Sequence, residues 1–463
     1  MEGGTRARKI ALSLLLLALC ATQVGLLAQF SSLPSSVKQF THELRVALNE
    51  TKRSALVETC AILQEEDGSI GKHETYTAAI VATLALLDSL NAIDVEKAVE
   101  YIRSRQDSEY GAFSVWRTSN GTVYGIDLYG NSLVVKCLRD IDALNCIEEE
   151  KLVSFVLSCY NRSSGGFQQP VFYAYGVKYA VSAFPILFHN ASFADVAYEK
   201  PNIISTYCAL SVLHDLGALS SIDASKTLNF VLSCRNSLGI FTPFPGYEEL
   251  GWWEELFPTD AHGGGLPYLY AGVMSLKILG RLDLLSEQER RTMFQYVNAC
   301  VTELGDVRTY PGHWWGPDAI PYAYFASSII YELGFAGEAQ GLVDRIINFI
   351  MRRQRIGGNL RYPPTDGSWP IPEGRKYIGK KLYGLFTLCE QYTDTYYAVL
   401  TLNLTGNLHL LDQPTPRALE TMRNCEQIVL MANVALISLT LCSTIAIAVL
   451  LKSGKPAKRR ENW

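Results

Sequence analysis

The densest chemistry in the sequence lies between Tyr247 and His262. Tyr247-Glu248-Glu249-Leu250-Gly251-Trp252-Trp253-Glu254-Glu255 is followed by Asp260 and His262. Paired carboxylates flanked by tryptophans suit glycoside hydrolysis, because indole faces stack on sugars while two acids serve as proton donor and base. The competing reading is a surface loop with solvated acids and tryptophans packed over a rim. His313-Trp314-Trp315, with Asp318 close behind, would form a second aromatic wall of the same mouth. His73 and Glu74 precede an apolar helix, where a first-turn acid complements the helix dipole. His42, His189, His214 and His409 are isolated. Of the 11 cysteines, Cys20 and Cys442 lie in apolar segments, and the other nine are scattered without a CxxC pair. Neither a zinc finger nor a dithiol redox motif is expected.

These residues must be carried by helices. A tyrosine-led apolar phrase returns six times, from Tyr76, Tyr129, Tyr207, Tyr270, Tyr324 and Tyr397. Tyr76, Ile80, Leu84 and Leu87 recur at helical steps, and apolar residues also occupy the other faces, as in a helix buried nearly all round. More polar helices are expected at 37–63, 94–105, 148–159, 222–234, 286–303 and 337–353. In the second of these, Val95, Ala98, Val99 and Ile102 form one stripe, and Asp94 fits an N-cap. Gly-aromatic turns separate the two kinds: Gly111-Ala112-Phe113, Gly165-Gly166-Phe167, Gly239-Ile240-Phe241, Gly312-His313-Trp314 and Gly357-Gly358. Irregular spacing argues against an open solenoid of fixed period. The pattern predicts an all-α, six-fold closed α/α barrel, inner helices lining it and outer helices sheathing it. Adjacent repeats would then bring Trp252, Trp253, Glu254, Asp260, His262, His313, Trp314, Trp315 and Asp318 to one rim.

The Gly-Gly-Phe turn with its Tyr-led helix resembles the repeat of protein prenyltransferase β-subunits and terpenoid cyclases, over about residues 37–411. The resemblance implies an α/α toroid. It also implies that His262-Gly263-Gly264 matches a stretch whose histidine contacts an isoprenoid diphosphate. Asp318 stands where the family has a zinc-ligating aspartate, but the accompanying cysteine, arginine and lysine are missing. Asp394-Thr395-Tyr396-Tyr397 places tyrosine where the family has its third ligand, a histidine. A catalytic zinc needs three protein ligands and an open position, so no metal, no cofactor and no zinc-dependent prenylation are expected. Asp140-Ile141-Asp142 supplies two acids of a cyclase-like Asp-x-Asp-Asp cluster; the plainer reading is a pair of acids at a helix end.

Composition sets the surroundings. The chain has 463 residues, 48% hydrophobic and 19% charged, with a formal net charge of −5. Setting aside eight basic residues near the two ends, with Glu2 and Glu461, leaves 33 of the 41 basic and 44 of the 46 acidic residues. An acidic body excludes a nucleic-acid partner, which would need clustered Lys and Arg. Ile10–Phe30 and Ile428–Leu451 are free of charge and long enough to cross hydrocarbon, and basic residues flank both on the outer side of the chain. The sequence therefore divides into a signal peptide or signal anchor (1–30), the toroid (37–411), a linker (412–427), a transmembrane helix (428–451) and a basic cytoplasmic tail (452–463). The toroid is expected outside the cell membrane, a location that permits disulfides, with sequons opening at Asn49, Asn120, Asn161, Asn190 and Asn403 as glycosylation candidates. The expected function is binding of an apolar, isoprenoid-like or peptide ligand at the barrel mouth. The alternative is an extracytoplasmic enzyme, either terpenoid-type or carbohydrate-active, using the acids and aromatics there.

Overall fold

The computed structural model describes residues 51–113, 115–117, 123–126, 128–168, 173–174, 177–178, 200–247, 265–311, 320–353 and 383–415, with helical positions at 423, 427, 431 and 434. Lys52–Gln413 forms one compact unit; Met1–Thr51 and Pro414–Trp463 form another. In the first, outer helices α1 (Lys52–Ile62), α3 (Val95–Ser104), α5 (Glu149–Ser158), α7 (Ala224–Ser233), α9 (Glu287–Cys300) and α11 (Gln340–Arg353) alternate with inner ones. The inner helices are α2 (Glu74–Leu86), α4 (Leu128–Asp140), α6 (Ile203–Asp215), α8 (Leu266–Ile278), α10 (Ile320–Glu332) and α12 (Tyr383–Leu404). Each inner helix packs on the next, and α12 packs back on α2, closing the ring. Sequence dictates the layering. The apolar α2 buries residues on every face, whereas α3 buries only Ala98 and Ile102.

Every inner helix ends in the same way. The residues at Asp88, Asp142, Gly217, Gly280, Gly334 and Gly406 take positive φ. The next N–H in each case bonds back to a carbonyl five residues earlier, as from Ser89 to Leu84 and from Arg281 to Leu276. This is the Schellman stop, which satisfies carbonyls that a helix end leaves orphaned. Three outer helices begin on side-chain caps. Asp94 accepts from the Lys97 amide, Asp223 from the Lys226 amide, and Ser286 with Glu289 forms a reciprocal capping box.

The turn leading into each described inner helix from α2 to α10 is a glycine followed two residues later by a buried apolar side chain. Gly111 with Phe113, Gly165 with Phe167, and Gly239 with Phe241 fit the sequence expectation. Gly68 with Ile70 and Gly305 with Val307 complete the set. The fifth turn thus falls ahead of Gly312-His313-Trp314, which lies outside the described residues, as does Gly357-Gly358. The side chain of Asn131 on α4 grips the Phe113 turn twice, accepting from its amide (2.7 Å) and donating to its carbonyl (2.8 Å). Thr77 and Thr206, at the same register of α2 and α6, accept from the amides of Ile70 and Phe167.

One detail of the repeat differs from the sequence reading. Counted back from the positive-φ residue, Tyr207, Tyr270 and Tyr324 share a register ten residues earlier, but Tyr76 stands at twelve, Tyr129 at thirteen and Tyr397 at nine. The first tyrosine of each phrase is not a structural landmark; the helix stop is. Two short hairpins decorate the helical ring, β1 (Val115–Arg117) with β2 (Val123–Ile126), and β3 (Tyr173–Ala174) with β4 (Val177–Lys178). In the second unit, Thr51 and Pro414 form an antiparallel bridge, and Met431 and Val434 are helical and exposed. Among the described residues no helix is long and apolar enough to cross a membrane. Apart from Met431 and Val434, both uncharged segments lie outside the described residues.

Candidate functional site: the aromatic axis of the ring

Five inner helices enclose a cavity of about 40 Å³ on the ring axis. From α4 come Tyr129, Ser132, Leu133 and Lys136, the steps of one helix face. Tyr207 on α6, Tyr270 on α8, Phe325 on α10, and Tyr396 and Tyr397 on α12 close around it. The hydroxyls of Tyr129 and Tyr397 share a 2.6 Å hydrogen bond, and those of Tyr207 and Tyr270 a 3.0 Å one. Tyr270 stacks on Phe325 at 4.4 Å, while Tyr207 meets Tyr270 edge-on. Tyr129 and Tyr397 flank α2, where the registers of Tyr129, Ser132, Leu133 and Lys136 are filled by the small buried residues Thr75, Ala78, Ala79 and Ala82. Small side chains on that one helix leave room for phenols from its two neighbours.

Burial pushes the phenols of Tyr207, Tyr270, Tyr396 and Tyr397 well up from their ordinary value. They stay protonated, so the phenols add no charge and supply O–H donors, and Lys136 is the one charged residue in the lining. No carboxylate is among the lining residues. At roughly 10–15 Å³ per water, the space holds about three waters and is too small for an isoprenoid chain.

The fit of a zinc ion can be judged at two ligand positions: the apolar, buried Ile320 stands two residues after Asp318, where the resemblance calls for the cysteine, and Tyr397 is the other. Tyr397 stands where the resemblance calls for a histidine, and its neutral phenol is already committed to Tyr129. A protonated phenol is no substitute for imidazole or thiolate. Among the described residues no group of three or more His, Cys, Asp and Glu side chains could hold a metal. Asp318 lies outside the described residues, and so do Trp252, Trp253, Glu254, Asp260, His262, His313, Trp314 and Trp315.

The cyclase-like acids are placed by α4. Asp140 ends the helix and accepts from Lys136 Nζ at 2.8 Å and Arg139 Nε at 3.1 Å, while Asp142 is exposed in the Schellman stop. Neither lines the cavity; they are helix-end acids, the plainer of the two readings. Among the described residues Cys60, Cys137, Cys146, Cys159, Cys234 and Cys300 are thiols outside any disulfide. Burial raises those of Cys60, Cys137 and Cys159 to about 12, so they are not thiolate nucleophiles at neutral pH. Of the glycosylation candidates, Asn161 has its side-chain oxygen engaged by Ser163 and Ser164, and Asn403 is exposed on the last turn of α12. Asn49, Asn120 and Asn190 lie outside the described residues.

His73 caps α2, its Nδ1 accepting from the Thr75 amide at 3.3 Å. Nδ1 lies 3.6 Å from the buried carboxylate of Glu74, which also faces Arg105 at 3.8 Å. Burial lowers the His73 pKa, Glu74 opposes this and Arg105 adds to it. Protonation would also place a hydrogen on the nitrogen that must accept. Below the ordinary histidine pKa the unfolded chain binds this proton more readily than the folded one, so stability falls as pH drops below about 6.5. His73→Asn keeps a capping oxygen and removes the titration. Its thermal midpoint should lose less than that of the parent between neutral pH and pH 5; parallel losses would rule the histidine out.

Comparison with known proteins places this geometry. The family model described as prenyltransferase alpha-alpha toroid domain matches residues 27–121, 128–252 and 257–368. The chain is 26% identical over 165 residues to geranylgeranyl transferase type-1 subunit beta of Arabidopsis thaliana, covering 34% of this chain and 39% of that one. It is 24% identical over 269 residues to geranylgeranyl transferase type-2 subunit beta of Saccharomyces cerevisiae, covering 45% of this chain and 80% of that one. Among solved structures, Candida albicans protein geranylgeranyltransferase-I complexed with GGPP is similar with a TM-score of 0.45 and 12% identity, covering 76% of this chain and 90% of that one. With the family model spanning most of its length, the chain belongs to the prenyltransferase alpha-alpha toroid family.

Proposed function

We propose that this toroid binds an apolar ligand, an isoprenoid-like chain or a peptide segment, at the mouth of the ring, and that it no longer carries out zinc-dependent prenyl transfer. The observation that carries this reading is the axis itself, where Tyr397, at the position the resemblance assigns to a metal ligand, is bonded to Tyr129 inside a nearly filled interior. The likeness to two subunits named for geranylgeranyl transfer supports an isoprenoid-like ligand. The small axial volume directs such a ligand to the rim, where Trp252, Trp253, Trp314 and Trp315 would supply aromatic faces, with His262 and the nearby acids setting its orientation. Glu254, Glu255 and Asp260 disfavour a diphosphate, since like charges would meet with little compensation.

Titration with geranylgeraniol should quench tryptophan fluorescence, and the double change Trp252→Ala, Trp314→Ala should abolish the effect. Equal quenching in the double mutant, or a preference for geranylgeranyl diphosphate, would sink the reading. Release of a chemically altered product would favour the enzymatic alternative.

The same proposal holds the toroid on the outer face of the cell membrane. It rests on the uncharged segments with their flanking basic residues, and on the exposed apolar side chains of Met431 and Val434. Protease added to intact cells should digest the body and spare Lys452–Trp463. A protected body with a cleaved tail would reverse the orientation.

A further inference from the structure

We propose that the axial cavity is a binding site for a small monocarboxylate, gripped by the Lys136 ammonium and the Tyr396 hydroxyl. It is a different site from the mouth, so either can fail without the other. Three observations converge on it. First, Tyr396 lines the cavity and is 1% exposed, yet its hydroxyl oxygen has no hydrogen-bond partner. A buried hydroxyl left in this state is costly, and a ligand oxygen in the cavity would satisfy it.

Second, Lys136 lines the same cavity with its side chain 29% exposed, so it connects the interior to solvent. Its carboxylate partner, Asp140, is also held by Arg139 through two hydrogen bonds, from Nε at 3.1 Å and Nη2 at 2.5 Å. Lys136 can therefore turn from Asp140 to a ligand without leaving that acid unpaired. Third, no carboxylate is among the lining residues, the nearby Asp140 is offset by Arg139, and Ser211 offers a further hydroxyl. Ammonium and phenol are both donors, and charge-assisted bonds to a carboxylate are the stronger kind. The volume sets the size: room for about three waters accepts an acetate-sized acid and excludes a long chain. Protonated phenols keep their donor role throughout the neutral range.

The test uses the full-length protein in detergent, with acetate as probe and acetamide as its uncharged counterpart, at constant ionic strength balanced with chloride. Calorimetry should show saturable acetate binding with acetamide at least about tenfold weaker. Lys136→Met should weaken acetate about tenfold or more, and Tyr396→Phe several-fold, since phenylalanine keeps the ring and deletes only the donor. Near-UV circular dichroism of both variants establishes that the ring is intact. Absence of saturable acetate binding, acetamide binding as tightly as acetate, chloride reproducing the response, or unchanged affinity in well-folded Lys136→Met would each overturn the proposal.

Discussion

Gly305→Ala is expected to lower the stability of the ring by about 3–5 kcal/mol, among the larger single-residue effects available in this protein. Two costs act together. Gly305 has a φ of +87°, where any other L-residue carries a penalty of roughly 1–2 kcal/mol. A Cβ there would also run into the backbone carbonyl of Arg345 on α11, which cannot swing aside as a side chain would. Gly239 occupies the equivalent turn one repeat earlier with a φ of +80°, but a Cβ there would meet only the Glu289 side chain, at 3.4 Å. Gly239→Ala should therefore show the conformational cost alone, about 1–2 kcal/mol. Denaturant midpoints of the two variants decide the matter. Equal losses would mean that the close approach of turn and outer helix contributes nothing.

Asn131→Ala is expected to cost about 2–5 kcal/mol, because it strands both the amide and the carbonyl of Phe113 in the core. Two sister positions indicate a partial rescue. Thr77 and Thr206 meet the same need with hydroxyl oxygens that accept from the turn amide, and Thr77 adds only a long 3.4 Å bond to the Ile70 carbonyl. Asn131→Thr should recover roughly half of the loss by restoring the acceptor for Phe113 N–H. A loss below about 1 kcal/mol for Asn131→Ala, read from chemical denaturation, would show that water reaches this turn.

The alternation of apolar and amphipathic helices was readable because burial on all faces and burial on one face leave different periodicities, as α2 and α3 show. The cap at Asp94 was equally legible, being local chemistry. The turns were only partly so. A search keyed to aromatics finds Phe113, Phe167 and Phe241 but passes over Ile70 and Val307, which fill the same buried position without a ring. The axial site escaped for a related reason. Aligning the repeats on their first tyrosine puts Tyr76, Tyr129 and Tyr397 in the wrong registers, and Lys136 then looks like one more surface cation. Counted from the helix stop, Lys136 falls at the register of Ser211 and Leu400, which line the axial cavity with it. Trp252, Trp253, Glu254, Asp260, His262, His313, Trp314, Trp315 and Asp318 fall outside the described residues, in sequence with no helical periodicity to say what their side chains meet.

The two ends of the ring meet at a seam. Lys52 donates from its amide to the Gln413 carbonyl at 2.9 Å and from Nζ to the Gln413 side chain at 3.0 Å, while Arg53 holds Asp412 at 2.6 Å and reaches the Leu408 carbonyl. Tension applied between the chain ends would therefore take the shortest route, across this junction, and not run round the circumference. The bonds of the junction would be loaded one after another, as in opening a zipper, with Lys52 and Gln413 first. The tyrosine-filled interior lies off that line of force, so the hoop could part at its fastening while the axis kept its packing.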